Sequence, residues 1–485
     1  MENEHGGLSA ELIKESLMKS LQGRDLKKVL LVPPDITRRN SGAGFITALY
    51  YELLEEMFGH PGAQSVDREQ CADREQGTDR EQGAAREYGA DRKYGADGAK
   101  GADESHNKHD TQIIHGMQGT HETRNVHGVH IDILPALGTH APMTCDEQIA
   151  FFGDKIPADR FLVHDWRDGV TKIGEVDRAF VREVSDGLMD EAMDVEISNY
   201  LLDPTYDLIL SIGQVVPHEV AGMANYTKNI VVGCGGSRFI NQSHILGAFY
   251  GMERVIGRDH SPVRKVFDYT EERFVSKLPL EYVLTVTVSK GEKTDIIGLY
   301  IGKERDVFTR AVALSQKHNL IYLDSLLKTC VVWLDEREFH STWLGNKAIY
   351  RTRMAMADGG RLIIIAPGVK TFGEDPENDR LIRKYGYAGT KRIMELCKTE
   401  PELQNNRSAP AHLIHGSSDG RFSVTYATGK LRRDEVEGVA FGYMPLDEAM
   451  KKYDPINLRQ GYNTLNDGEE IYFIENPALG LWTVK

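Results

Sequence analysis

Three consecutive stretches, "KKVLLVPP" (27–34), "DITRRNSG" (35–42) and "FITALYYELLEEMFG" (45–59), decide the fold class. The first is a short apolar run closed by prolines, as a buried strand is. The second is polar and rich in turn-forming residues, and the third repeats apolar side chains at helical spacing. Strand, loop and helix in that order make an α/β unit. The pattern returns in "GVHIDILPALGTHAPMTCDEQIAFFG" (128–153), where alternating "VHIDIL" predicts a strand and Thr144 with Glu147 predicts the capping box of the next helix. Further strands are expected at "RFLVHD" (160–165), "MDVEIS" (193–198) and "DLILSIG" (207–213). Residues 1–278 therefore read as one α/β domain. Its loops "DITRR", "GTHAPM", "VHDWR" and "QVVPHEVAGM" lie where open sheets bind ligands, beyond the carboxyl ends of the strands.

A second α/β unit, 279–462, is expected to open with "EYVLTVTVS" and "DIIGLYIG". It continues through a helix over 305–319, a strand "TCVVWL" (329–334), a helix "GNKAIYRTRMAMADGG" (345–360) and a strand "RLIIIAPG" (361–368). The tail 463–485 is open to packing back on the first domain. Two α/β domains with the active site in the cleft between them are the expected architecture, which suits 485 residues, since domains run to about 100–200 residues.

One segment stands apart. Residues 66–107 form tandem hexads, VDREQC, ADREQG, TDREQG, AAREYG, ADRKYG, ADGAKG and ADESHN. A period of six matches neither a helix nor a buried strand, and the units hold almost nothing apolar, so 63–112 reads as a low-complexity, disordered insertion. His106, His109, His115, His121, His127 and His130 follow at irregular spacings and are read as incidental.

The formal charge of −15 opposes nucleic-acid binding, which needs a basic surface. No stretch is apolar enough to span a bilayer, and "MENEHGGLSAELIKESL" lacks the blocks of a signal peptide, so no membrane partner and a cytoplasmic location are expected. The five cysteines are scattered and never form a CxxC pair, which argues against a disulfide framework or a thiolate zinc site. A small-molecule substrate is the expected partner. The oligomeric state has no signature in the sequence.

The chemistry-bearing side chains concentrate in "PHEVAGMANYTKNIVVGCGGSRFINQSH" (217–244). His140 and His218 each follow a strand and sit in a proline-containing loop, positions suited to proton transfer, though each has a structural reading as well. His244 lies 16 residues beyond Lys228 and 26 beyond His218, which fits no paired-ligand zinc pattern. It reads as a lone metal ligand completed by a cofactor or as a helix-capping residue. Lys228, just before the apolar strand expected at "NIVVG", reads as a surface cation or as a covalent attachment point. "GCGGS" permits close backbone approach without the spacing of a nucleotide fingerprint. Asp35 and Arg38 offer an acceptor and a fork-shaped cation for phosphate or carboxylate, or a turn cap with a solvated Arg.

Together, "DITR" (35–38), "ALGTH" with "PMT" (136–144), "PHEVAG" (217–222), Lys228 ten residues after His218 and His244 sixteen after Lys228 resemble the lactate racemase family. The resemblance covers most of the chain outside 63–112. It implies a nickel-pincer nucleotide covalently attached at Lys228, with His244 completing the coordination of nickel. It implies acid/base roles for His140 and His218. Asp35, Thr37 and Arg38 fall in the loop at the cofactor and substrate end of the site, and Lys347, twelve residues before Gly359, matches the family's substrate-side lysine. The reaction implied is inversion at C2 of a 2-hydroxy acid through a 2-keto acid, one histidine taking the hydroxyl proton while hydride leaves C2. Arg38 and Lys347 would hold the carboxylate. Lactate-taking members carry Gln three residues before that lysine, where this chain has Leu344. "TWLGNKAIYRTR" (342–353) looks like the subgroup acting on sugar acids such as mannonate and gluconate. The competing readings are a lactate racemase, a binding protein on the same scaffold without turnover, and a metal-dependent hydrolase or lyase using scattered His and Asp ligands.

Overall fold

The computed structural model describes residues 1–59, 128–290 and 293–485. The hexads, the disordered reading of 63–112 and the histidines from His106 to His127 lie outside the described residues.

The fold is mixed α/β. A five-stranded sheet runs in the order His130–Ile133, Lys28–Val32, Leu208–Gln214, Leu280–Lys290, Lys293–Gly302. The first four strands are parallel and the last is antiparallel. From Lys28–Val32 the chain first adds a strand on one side and then returns to add Leu208–Gln214 on the other. The crevice beyond Val32 and Gln214 is thus a topological switch point, where open α/β sheets place their ligands. Leu208–Gln214 is buried along its whole length, as a central parallel strand must be.

The helix Ala43–Phe58 buries Ala43, Gly44, Ile46, Thr47, Tyr50, Tyr51, Leu53 and Leu54, one continuous stripe at helical spacing. Burying a leucine of that stripe contributes about 1.5–3 kcal/mol. Gly44 sits against the Phe151 carbonyl so closely that an added Cβ would lie 1.9 Å from that oxygen. The helix Cys145–Phe152 that carries Phe151 starts at the expected Thr144–Glu147 capping box.

A second sheet has the order Gly442–Met444, Ser423–Ala427, Met356–Ile365, Leu327–Trp333, Glu470–Ile474, Gly461–Thr464, parallel except at its last pair. In the tail, Glu470–Ile474 joins this sheet and Leu481–Val484 pairs with Leu320–Leu323. Leu479, between them, packs with Val216 and Ala224 of the first half.

Four expectations need correction. The strands at 281–289 and 295–302 do not open a second unit, because Leu280–Lys290 covers the exposed edge of Leu208–Gln214 and completes the first sheet. "RFLVHD" makes only a single bridge, Phe161 to Ile133, before the chain turns away. "NIVVG" is a π-helical turn, Asn229–Gly233, with all five residues buried. The helix expected over 345–360 ends at Thr352, and "MADGG" begins the strand Met356–Ile365.

Candidate functional site

A cavity at the switch point gathers every site residue singled out in the sequence. Asp35, Thr37, Arg38, His140, His218, Lys228, His244 and Lys347 all line it. The first three come from the turn after Lys28–Val32, His140 from the loop after His130–Ile133, and His218 from the loop after Leu208–Gln214. Trp343, Leu344, Lys347 and Tyr350 close it from the short helices Thr342–Gly345 and Lys347–Thr352.

Asp35 fixes the first histidine. Its Oδ1 accepts from the Thr37 amide (3.1 Å) and hydroxyl (2.5 Å), and its Oδ2 lies 2.5 Å from His140 Nδ1. Burial opposes charge on His140, but the adjacent Asp35 carboxylate outweighs it through charge and hydrogen bond and raises the imidazole above its ordinary range. Burial likewise opposes the Asp35 carboxylate, yet His140, Thr37 and Arg38 hold its pKa below the usual value. Both shifts favour the same ion pair.

His218 sits in a small hairpin, Pro217–His218 against Gly222–Met223. Gly222 takes φ +82°, and a Cβ there would lie 2.0 Å from the Arg258 carbonyl oxygen, so this turn needs glycine. His218 is 4 % exposed and its Nδ1 accepts from the amides of Val220 (3.1 Å) and Ala221 (3.4 Å). Burial, then the nearby Lys228 and Arg38 charges, push its pKa well below the ordinary value.

Lys228 is presented by a strained turn. Asn225 and Tyr226 adopt φ of +65° and +57°, conformations that cost non-glycine residues of the order of 1–3 kcal/mol. The fully buried Arg264 holds this turn, donating to the carbonyls of Met223 (2.6 Å) and Asn225 (3.3 Å). Tyr226 is anchored by its hydroxyl to the Lys303 carbonyl and by its ring to Tyr282 and Phe308. The π-turn then runs from Lys228, with Asn229 Nδ2 donating to Val32 O and Ser211 Oγ across the switch point. Burial, and then the Arg38 charge, lower the Lys228 pKa to about 8, against the opposing pull of Glu219. An amine so tuned is a better nucleophile at neutral pH than a surface lysine.

His244, on the helix Ser237–Tyr250, donates Nδ1–H to the Ile240 carbonyl at 2.6 Å. That bond leaves the Nε2 lone pair free in the cavity. Burial, then Lys228, pull its pKa down to about 4, which keeps the ring neutral. A neutral imidazole with one nitrogen tied to a carbonyl is how proteins present a histidine to a metal. Among the described residues no three His, Cys, Asp or Glu side chains cluster to hold a metal ion, so a metal here would draw its other donors from a non-protein ligand. His244, the amine of Lys228 and the cation Arg38 in one cavity fit a group that brings both a metal and its own donors.

Two acidic residues were missed in the sequence. Glu219 follows His218 directly and lines the cavity, and although burial opposes its charge, its own backbone amide, Arg351 and Arg38 keep it ionised. Its position beside the singled-out His218 was the available signal. Glu338 lies 3.7 Å from Lys347 Nζ, both side chains buried. Burial lowers the Lys347 pKa, and Glu338 counters this. Nothing local in the sequence marks Glu338.

Comparison with known proteins adds a family. Residues 112–255 match the family model described as the lactate racemase N-terminal domain. A crystal structure of a Thermotoga maritima protein, a structural-genomics target, is similar over 100 % of both chains with a TM-score of 0.73 and 22 % identity. The structure of the lactate racemase apoprotein from Thermoanaerobacterium thermosaccharolyticum is similar over 97 % of this chain and 92 % of that one, with a TM-score of 0.61 and 14 % identity. At such identities the two structures speak for the fold. No curated protein matches the chain by sequence.

Proposed function

The chain belongs, by its N-terminal domain, to the lactate racemase family, and on that premise we propose that it is a nickel-pincer-nucleotide-dependent racemase or epimerase acting at C2 of a 2-hydroxy acid. The observation that carries the reading is one cavity holding a low-pKa lysine, a histidine with a free Nε2, and two further histidines. Lys228 would tether the cofactor and His244 would ligate its nickel. When bound, that group supplies hydride acceptance from C2 and its return. The chain's own residues do the rest. Arg38 and Lys347 seat the substrate carboxylate, and neither a side-chain hydrogen bond nor an ion pair engages Arg38 among the described residues. His140, held by Asp35, takes the C2 hydroxyl proton at Nε2 and gives it back to the keto oxygen. Holding the carboxylate keeps the keto acid in place between half-reactions.

The favoured substrate is an aldonic acid such as mannonate or gluconate. Gln214, Asn225, Thr139 and Ser408 line the cavity and offer partners to extra hydroxyls. Leu344, where lactate-taking members carry Gln, also lines it. Peptide mass spectrometry on protein made in a host that synthesises the pincer cofactor tests the reading. Added mass on the Lys228 peptide, absent in Lys228→Ala, is the expected result, followed by C2 epimerisation of mannonate or gluconate. An unmodified Lys228 from such a host overturns it in favour of a binding or hydrolytic role.

A further inference from the structure

The second sheet has a crevice of its own. From Leu327–Trp333 the chain adds Met356–Ile365 on one side and later returns with Glu470–Ile474 on the other, so the loops leaving Leu327–Trp333 and Glu470–Ile474 start at neighbouring strand ends. The first loop carries Glu338 and the second carries Asn476, whose Nδ2 reaches Glu338 Oε2 at 3.5 Å. The other oxygen, Oε1, lies 3.7 Å from Lys347 Nζ. Arg351, one turn further along the helix Lys347–Thr352, donates to the carbonyls of Ala478, Leu479 and Gly480 in the same tail loop as Asn476. Lysine, glutamate, tail and arginine thus close a ring. Lys347 is the member of it that lines the cavity, and Glu338 stands behind.

The separation of the pair decides what Glu338 can do. At 3.7 Å it is an ion pair and not a hydrogen bond, so the carboxylate stabilises the ammonium charge and takes none of its three N–H donors. A closer carboxylate would compete for them with a bound anion. Of the two cations that seat the substrate carboxylate, a guanidinium stays charged by its own chemistry, whereas a buried lysine readily loses its proton. The chain sets a buried carboxylate behind the lysine. The other charges facing Lys347 do less or act in the opposite sense: Arg38 from the turn after Lys28–Val32 and Arg351 from its own helix oppose its charge, and Glu219 from the His218 hairpin supports it more weakly than Glu338. The ring of Phe339, 5.2 Å from Nζ, adds a favourable face.

We propose that Glu338 is a positioning residue for substrate binding: it holds the Lys347 ammonium charged and aimed into the cavity without occupying its donors, and Asn476 of the tail holds Glu338 in turn. This rests on the reading of the site given above for the identity of the substrate, but not for the charge on the lysine. Without Glu338 the buried ammonium would face Arg38 and Arg351 with Glu219 as its remaining support, and loss of its proton to solvent would leave a neutral amine, a poor seat for a carboxylate.

The first test needs neither cofactor nor substrate. Protein carrying 13C at lysine Cε is titrated by NMR, with the Lys347 signal assigned by Lys347→Gln. Glu338→Gln keeps the volume and the oxygen that meets Asn476 but removes the charge, and is expected to weaken proton binding at Lys347 about tenfold or more. Glu338→Asp, which keeps the charge, should restore most of that loss. Lys347 titrating alike in the parent and in Glu338→Gln overturns the proposal, as does an equal loss in Glu338→Asp. The second test uses cofactor-loaded enzyme, with KM for an optically pure 2-hydroxy acid followed over about pH 6–10. In Glu338→Gln the rise of KM with pH should begin at a proton concentration about tenfold higher than in the parent. A KM raised by the same factor at every pH marks a merely structural role and overturns the proposal. Absence of the Lys228 adduct counts against the function proposed above, and the lysine titration then decides this inference alone.

Discussion

Replacing Asp35 by Asn removes one charge and no volume, and the hydrogen bonds around it dictate the outcome. Asp35 Oδ1 receives two donors from Thr37, and Oδ2 faces His140 Nδ1. An Asn that keeps its oxygen on Thr37 turns its NH2 toward His140. The reverse orientation strands both Thr37 donors, at about 1 kcal/mol each. A preference of about 2 kcal/mol is roughly 30-fold, so about 3 % of molecules would keep the tautomer with a bare Nε2. With the carboxylate gone, burial, helped by the Arg38 charge, outweighs the remaining pull of Glu374 and the His140 pKa falls, so basicity drops by a further factor of about ten or more. The product, about 10²–10³ in kcat, lies within the range of a lost general base. Turnover of an optically pure 2-hydroxy acid, followed by chiral chromatography on loaded enzyme, measures it. Adding Thr37→Val to Asp35→Asn removes one of the two donors and should recover about fivefold. A kcat for Asp35→Asn within threefold of the parent would refute both the hydrogen-bond argument and the role given to His140.

Acid should weaken the fold through His412 and His415, both buried, whose pKa values burial pulls down to about 3. The unfolded chain binds protons at these positions below about pH 6.5 and the folded chain does not, so stability is lost as pH falls from about 6.5 toward 3, by about 2 kcal/mol per histidine at pH 5. His140, whose pKa is raised, acts in the opposite sense, so the informative quantity is the difference in urea midpoint between pH 7 and 5, which a His412→Asn/His415→Asn variant should shrink. Gly44→Ala puts a methyl into the Phe151 carbonyl and should cost about 1–3 kcal/mol or more in urea melts, an effect absent at Gly438, where a Cβ meets nothing within 4 Å. Arg264→Met leaves the Met223 and Asn225 carbonyls without their cationic donor, so a loss of about 1.5–3 kcal/mol and a reduced mass adduct on Lys228 are expected.

The loops of the site were legible because an open parallel sheet sends its loops to one end. Finding strands before Asp35, His140 and His218 was enough to bring those residues together. The ten and sixteen residues separating His218, Lys228 and His244 carried the rest of the site, although the element joining them was misread. "NIVVG" has the composition of a buried strand, and apolar periodicity over five residues does not separate a strand from a helical turn. What makes it a turn is nonlocal. Arg264, 36 residues beyond Lys228, holds the two left-handed residues that start it, and Asn229 ties it to strands on both sides of the switch point. The same reason hides Glu338, whose value to Lys347 arises from a chain reversal that no local pattern announces. Composition marks which side chains do chemistry, and spacing marks which loops they share. Orientation depends on buried partners distant in sequence: two amides settle the proton of His218, and Asp35, 105 residues before His140, settles the other.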